Sequence, residues 1–298
     1  MIRAIRNILW HPFLTIGFAV LLTSCNVETE RPNFILIQMD DLGWDDLSVH
    51  GNQIIETPTI DRLAGESVQF NQFYVNPVCA PTRASLLTGR DFLRTGVSHV
   101  NGGKEYLNPG ETIIAEIFSE AGYVTGLWGK WHSGGTDGYL PGERGFDEVY
   151  RAKLYRHKDN FGVLNGKEVQ HGKWADEVLI SYAIEFITEN RDKPFFAYLP
   201  SMTCHGPLEA PEEYIQKNIE KGLSRNLATL YGMVEHFDFQ LQRLIEAVDE
   251  LGLAEHTVIL FMSDNGPAVN NGAFTDKDRQ IRYVSGLKGH KGNIWENG

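Results

Sequence analysis

The chain has 298 residues, of which 42% are hydrophobic and 11% aromatic, so it is long enough to bury one large core or two modest ones. This composition is not that of a fibrous or intrinsically disordered protein. The formal net charge of -12 argues against nucleic acid or an anionic membrane as a binding partner. An anionic substrate would therefore need a local positive site.

The first residues have the pattern of an export signal. Arg3 and Arg6 precede an apolar run over residues 13–22. This run is too short, and too closely followed by polar residues, for a membrane-spanning helix. A charged start followed by a short apolar run is typical of a secretory signal peptide, so we expect the protein to be exported.

The signal ends in a Leu-Thr-Ser-Cys sequence at Cys25, which resembles the lipobox of bacterial lipoproteins. We therefore expect residues 1–24 to be a lipoprotein signal peptide, Cys25 to carry a lipid anchor and residues 25–31 to be a tether. The mature protein would be a membrane-anchored lipoprotein in the periplasm or at the cell surface. The alternative is an ordinary signal peptide followed by a chance cysteine.

After the tether, apolar runs of strand length alternate with segments of helical period, which is typical of an α/β domain with a largely parallel sheet. Strands are predicted at residues 34–39, 123–128, 195–199 and 258–262. Helices are predicted at residues 111–121, 174–190 and 227–251. Residues 134–172 are rich in Gly, Arg, Lys and Asn without a clear period, and we expect an irregular, substrate-facing loop there.

Polar residues follow each of the four predicted strands. In chain order they are Asp40 and Asp41, Lys130 and His132, His205, and Asp264 and Asn265. Ligands of open parallel sheets bind beyond the carboxyl ends of the strands. We therefore expect these side chains to meet at one site.

The acidic residues at these strand ends indicate a metal. The neighbouring carboxylates of Asp40 and Asp41 would raise each other's pKa unless a cation lies between them. Together with Asp264 and Asn265 they offer only oxygen ligands, which calcium or magnesium prefers and zinc does not. We predict a Ca²⁺ site, with Mg²⁺ as the alternative, although each pair alone also fits an ordinary turn.

Cys79 lies just before a predicted helix, with Pro81 near the first helical position, where proline costs no backbone hydrogen bond. The free N–H groups of a helix start attract an anion. Arg83 follows Cys79 by four residues and therefore lies on the same face of the helix. An exported protein could instead pair Cys79 with Cys204 in a disulfide. The surrounding motif favours a reactive Cys79 and a buried, inert Cys204.

Several motifs resemble those of the type I sulfatases, the formylglycine-dependent, arylsulfatase-like enzymes of the alkaline-phosphatase-like superfamily. Residues 79–90, CAPTRASLLTGR, are similar to the first signature of that family, whose cysteine is oxidised to formylglycine. Residues 129–132 resemble its second signature, residues 205–207 its His-x-Pro element and residues 287–292 its lysine motif. The resemblance implies hydrolysis of sulfate esters on an alkaline-phosphatase-like, mostly parallel sheet flanked by helices.

The resemblance also implies a role for each matching residue. The ligands of Ca²⁺ would be Asp40, Asp41, Cys79 as formylglycine, Asp264 and Asn265. Arg83 and Lys130 would hold the hydrated aldehyde at residue 79, which attacks sulfur. Lys130, His205 and Lys291 would contact the sulfate group, with His205 or Lys291 protonating the leaving alcohol. His132 would help to expel sulfate afterwards.

The implied partners are a sulfated small molecule or polysaccharide and a formylglycine-generating or sulfatase-maturating enzyme. Members of the family normally continue beyond the lysine motif into further strands and a smaller C-terminal subdomain. This chain stops at Gly298. We therefore expect residues 32–298 to be a sulfatase catalytic domain truncated at its C-terminal side, with that subdomain missing.

Two alternatives remain from the sequence. A formylglycine-dependent phosphonate or phosphate ester hydrolase would share these motifs, whereas the related two-zinc enzymes need a histidine where this chain has Asn265. The second alternative is a lipoprotein that captures sulfated glycans without hydrolysing them. A binding protein has no need for an oxidisable Cys79 beside Pro81 and Arg83, which disfavours this second reading.

Overall fold

The computed structural model describes residues 31–268 and 274–298. The predicted signal peptide, the lipid anchor on Cys25 and most of the predicted tether lie outside the described residues. Within the described ranges, no helix combines the length and the apolar character that crossing a membrane requires.

The described residues contain one seven-stranded sheet. Its strands are β1 (Asn33–Met39), β2 (Val124–Gly129), β3 (Glu148–Ala152), β4 (Phe161–Leu164), β5 (Lys167–Gln170), β6 (Phe195–Pro200) and β7 (Thr257–Ser263). Their order is β5-β4-β3-β2-β6-β1-β7. The neighbouring strands β3, β2, β6, β1 and β7 run parallel to one another. The strands β4 and β5 form an antiparallel hairpin at one edge of the sheet. The predicted mostly parallel α/β sheet is therefore confirmed.

Helices cover both faces of this sheet. They are α1 (Pro58–Gly65), α2 (Cys79–Thr88), α3 (Phe92–Thr95), α4 (Ile114–Glu120), α5 (Ala175–Glu189), α6 (Glu212–Glu220), α7 (Arg225–Glu250) and α8 (Asp276–Arg282). Side chains of a strand alternate between the two faces. Ile35 and Ile37 accordingly contribute to the larger core, formed with α1, α5, α6 and α7, whereas Leu36 contributes to the smaller core beside α2 and α4.

The four predicted strands and the two long predicted helices are confirmed to within about two residues, the usual uncertainty of element ends. The helix predicted at residues 111–121 is shorter, because Ile113 is extended and serves as the N-cap of α4. The backbone N–H of Ile113 donates to the Glu116 carboxylate at 2.9 Å, which closes the first turn of the helix.

The prediction for residues 134–172 as an irregular loop was wrong, because this segment provides β3, β4 and β5. The strands have only four or five residues, too few to show a clear alternation. Asn165 and Gly166 connect β4 to β5 with φ angles of 46° and 81°. An Asn-Gly pair is a strong signal for a two-residue hairpin turn, and it was the available clue to this hairpin.

Candidate active site

The carboxyl ends of β1, β2, β6 and β7 meet at one edge of the sheet, as the sequence predicts. Backbone hydrogen bonds continue past the strand ends and fix the residues that follow. The N–H of Asp40 donates to the Thr203 carbonyl at 2.8 Å, and that of Lys130 donates to the Pro200 carbonyl at 2.7 Å. The N–H of Asp264 donates to the carbonyl at the end of β1, at 3.0 Å. Four segments distant in the sequence are thereby held side by side.

Three aspartates at this edge each pair with a cationic side chain. The pairs are Asp40 with Lys130, Asp41 with Lys291 and Asp264 with Arg83, at nitrogen–oxygen distances of 2.7, 2.5 and 2.6 Å. Five of these six side chains are almost completely buried. Three negative charges therefore balance three positive ones where water cannot screen them.

The two lysines of these pairs remain protonated at neutral pH. Burial alone would lower the pKa of Lys130, but the charge of Asp40 raises it above its ordinary value. The same competition at Lys291, with Asp41 as the attracting charge, also raises the pKa. Both side chains thus present ammonium groups to the site.

Two buried oxygens at the site have no hydrogen-bond partner in the described part of the chain: Asp40 Oδ1 and Asn265 Oδ1. A buried oxygen without a partner costs about 1–3 kcal/mol, a cost that a bound cation would remove. Potential ligand atoms of Asp40, Cys79 and Asp264 lie within 4.8 Å of one another. The Asn265 side-chain nitrogen donates to Asp41 Oδ1 at 2.8 Å, so this amide lies beside the acidic cluster. These oxygen donors fit Ca²⁺ or Mg²⁺.

Cys79 is the first residue of α2 and is almost completely buried. Its Sγ lies 3.4 Å from Nδ1 of His132, whose Nε2 lies 2.8 Å from the Val100 carbonyl oxygen. A carbonyl accepts only, so the imidazole proton is on Nε2 and Nδ1 is free to accept from residue 79. Burial and the nearby charge of Lys130 lower the pKa of His132 to about 3, so the ring is neutral at physiological pH.

The unmodified thiol is poorly suited to attack a substrate. Burial raises the pKa of Cys79 above its ordinary value, and the thiol rather than the nucleophilic thiolate predominates. Cys79 and Cys204 are both free, so the alternative disulfide does not form in this structure. Burial also raises the pKa of Cys204 well above its ordinary value, consistent with the predicted inert thiol.

His205 also lies at this site, with Nε2 at 3.9 Å from Asp41 Oδ2. The ring of Tyr155 stacks on its imidazole with a centroid distance of 3.9 Å and an interplanar angle of 16°. His157 Nε2 lies 2.8 Å from the backbone oxygen of His205 and hydrogen-bonds to it. Sequence reasoning missed Tyr155 and His157. The only signal for them was their place in the segment predicted to face the substrate.

Lys291 comes from the C-terminal part of the chain, and two backbone hydrogen bonds hold its loop against the site. The Lys291 N–H donates to the Pro267 carbonyl at 3.0 Å, and the Gly292 N–H donates to the Pro77 carbonyl at 2.7 Å. The loop is thus tied both to the segment after β7 and to the segment before α2. Every residue that the sequence predicts for the site is brought to this one edge of the sheet.

Comparison with known sequences and structures identifies relatives of this chain. A sequence model of the Sulfatase family matches residues 32–293. Human N-acetylgalactosamine-6-sulfatase is 32% identical over 274 residues, covering 80% of this chain and 51% of that protein. An uncharacterised sulfatase of Schizosaccharomyces pombe is 32% identical over 324 residues, covering 80% of this chain and 58% of that protein.

A solved structure, that of Ps i-CgsB in complex with k-i-k-neocarrahexaose, superposes with a TM-score of 0.81 at 31% identity. It covers 90% of this chain, and this chain covers 64% of it. The chain spans about half the length of the curated relatives it matches. The family match extends over nearly all of the described residues, from the start of β1 to the loop that carries Lys291. The chain belongs to the sulfatase family.

Proposed function

We propose that this protein hydrolyses sulfate esters, with residue 79 as the nucleophile after its oxidation from cysteine to formylglycine. The observation that carries this proposal is the placement of Cys79. It begins α2, contacts His132 and lies within 4.8 Å of possible ligand atoms of Asp40 and Asp264. A buried thiol gains nothing from this arrangement, whereas a hydrated aldehyde has one oxygen for a cation and one for the substrate.

The metal in this proposal is Ca²⁺, with Mg²⁺ as the alternative. Its protein ligands would be Asp40, Asp41, Asp264 and Asn265, and residue 79 would complete the set. Two partnerless buried oxygens and the all-oxygen donor chemistry support this assignment. When bound, the ion supplies positive charge that stabilises an oxyanion at residue 79.

The cationic side chains around residue 79 bind and orient the sulfate group in this proposal. Lys130 and Lys291 are protonated and would each bind a sulfate oxygen in place of part of their present contact with an aspartate. Arg83 is fully buried and donates two hydrogen bonds to Asp264, so its role is to hold the carboxylate and not to move with the substrate. Because the aspartates balance these cations, the bound metal ion would supply the net positive charge that an anionic ester needs in a chain of net charge -12.

Two histidines would transfer protons in the reaction. His132 accepts a proton from the hydroxyl at residue 79 through Nδ1, because Nε2 is occupied with the Val100 carbonyl. His205 lies near Asp41, stacked against Tyr155, and would protonate the leaving alcohol. Each such step typically contributes about 10²–10⁴-fold to the rate.

For the substrate we propose a sulfated saccharide. This rests on the similarity to Ps i-CgsB, whose structure holds a neocarrahexaose, and to N-acetylgalactosamine-6-sulfatase. A formylglycine-generating or sulfatase-maturating enzyme is the proposed partner for residue 79. Export and lipid attachment at Cys25 stay proposals from the sequence of the first 25 residues.

The test is release of inorganic sulfate from a panel of sulfated oligosaccharides and one aryl sulfate, by protein produced together with a maturation enzyme. We expect turnover on at least one substrate and none with Cys79→Ala. The matched control is Cys204→Ala, which removes the other buried free thiol and should retain turnover. A phosphonate monoester and a phosphate ester are assayed in parallel, and hydrolysis of either of these with no sulfate released from any sulfated substrate would overturn the proposal.

A further inference from the structure

One segment next to the active site carries an unusual concentration of positive charge. Residues 151–158, here called the rim segment, contain Arg151, Lys153, Arg156 and Lys158 in a chain whose net charge is -12. The last three are exposed. Across residues 31–268 and 274–298, none of the four cations forms an ion pair, although Asp159 follows directly in the sequence.

The first residue of the rim segment is fixed relative to the active site. Arg151 lies at the carboxyl end of β3, where it pairs in register with Gly129, the residue before Lys130. Its guanidinium approaches Gly135 in the loop that follows His132. The first cation of the segment therefore lies at the same edge of the sheet as the site.

The middle of the segment contacts His205 directly. The Tyr155 ring stacks on the imidazole, and His157 Nε2 lies 2.8 Å from the backbone oxygen of His205. Arg156 lies between these two residues, so its Cα is about 3.8 Å from each of theirs. Arg156 is exposed and is therefore a solvent-accessible cation whose two sequence neighbours both contact His205.

Unpaired cations in a row repel one another, and the fold gains no ion pair from them. Their joint field instead attracts a ligand that carries several negative charges, which also raises its rate of association. In the proposed function, Lys130 and Lys291 bind the sulfate ester that reacts. The cations of the rim segment are therefore available to bind a second anionic group.

We propose that the rim segment forms a second anion-binding subsite beside His205, which binds a sulfate or carboxylate group other than the ester that is cleaved. This inference rests on the proposed function and specifies its substrate class. The preferred substrate is a saccharide with at least two anionic groups close together, and Arg156 is the principal contact to the second group.

Binding tests this subsite without any need for turnover. The full chain with Cys79→Ala is titrated calorimetrically with two dextran sulfate oligosaccharides of equal length, one with a single sulfate group per glucose and one with two. The rim variant adds Arg156→Ala and Lys158→Ala. The matched control adds Arg191→Ala and Lys193→Ala, which removes the same two residue types between α5 and β6, at the opposite edge of the sheet.

We expect the rim variant to bind the more sulfated oligosaccharide about tenfold more weakly, as loss of a charged hydrogen bond implies. Its affinity for the less sulfated oligosaccharide should change much less, and the control should match the parent for both. Added salt should weaken oligosaccharide binding by the parent, which carries Cys79→Ala alone, more than binding by the rim variant. Equal losses in both variants, no loss in either, or no binding by the parent overturns the subsite.

The outcome is separable from that of the proposed function. Turnover of an aryl sulfate by the matured wild-type chain tests hydrolysis alone, because that substrate has no second anionic group. Retained aryl sulfate turnover with no effect of the rim variant on binding rejects the subsite and leaves the sulfatase proposal standing. Absent turnover of every substrate in the sulfate-release panel, together with the expected loss of binding, rejects hydrolysis and keeps the subsite.

Discussion

The buried ion pair between Arg83 and Asp264 provides a quantitative test of how the site is held together. Both side chains are completely inaccessible to solvent. Nε and one terminal nitrogen of Arg83 donate to the same carboxylate oxygen at 3.0 and 2.6 Å. Replacing Asp264 with alanine would leave the guanidinium buried without its counter-ion, because Asp40 is already paired with Lys130.

Breaking one side of a buried pair costs about 3–5 kcal/mol, since the remaining charge stays desolvated. Domains of this kind have a free energy of unfolding of roughly 5–15 kcal/mol, so Asp264→Ala would remove a large part of it. The melting temperature should fall by roughly 6–20 °C, at about 2–4 °C per kcal/mol for a chain of this size. The double replacement Arg83→Met with Asp264→Leu removes both charges and should recover most of the loss.

The assay is urea unfolding at pH 7, followed by far-ultraviolet circular dichroism with a chelator present so that metal binding does not contribute. Arg225→Ala serves as the control, because it breaks an exposed pair with Glu212 and should leave the midpoint unchanged. If Asp264→Ala unfolds at the same urea concentration as the control, the buried pair does not hold the site together. If the double variant is no more stable than the single one, the loss does not come from an uncompensated buried charge.

Three further predictions concern the site. Gly129→Ala should destabilise the protein by about 1–3 kcal/mol in thermal unfolding, because the new Cβ would lie 2.1 Å from the Pro200 carbonyl oxygen. The φ of Gly129, 135°, adds backbone strain for any residue with a Cβ. Gly138→Ala is the control and should cost less, because Gly138 also has a positive φ but has open space around it. Tyr155→Ala should lower kcat by about 10–10² by releasing His205, and Tyr155→Phe should retain kcat and the pH profile. Ca²⁺ at about 100 times its Kd should stabilise the protein by about 2.7 kcal/mol in calorimetry, an effect reversed by chelation; an unchanged transition would reject the metal.

Much of the site could be predicted from the sequence because parallel strands place their carboxyl ends together. Once the apolar runs at β1, β2, β6 and β7 are recognised, the residues after them must be neighbours. Asp40, Lys130, His205 and Asp264 follow from this rule alone. Cys79 follows from the helix start that its own motif predicts.

Other features of the site depend on contacts between side chains of distant elements, which no local pattern encodes. The pairing of Asp41 with Lys291, and the stacking of Tyr155 on His205, are examples. The hairpin of β4 and β5 was missed for a different reason. Its strands are too short for a period to emerge, although the Asn165-Gly166 turn was visible in the sequence.

The central claim is that the nucleophile of this protein is made from Cys79. The most direct measurement is the mass of the peptide that contains residue 79, taken from protein that releases sulfate from an ester. We expect an aldehyde or its hydrate at residue 79 and an unmodified thiol at Cys204. An unmodified thiol at residue 79 in protein that is fully active would contradict this claim.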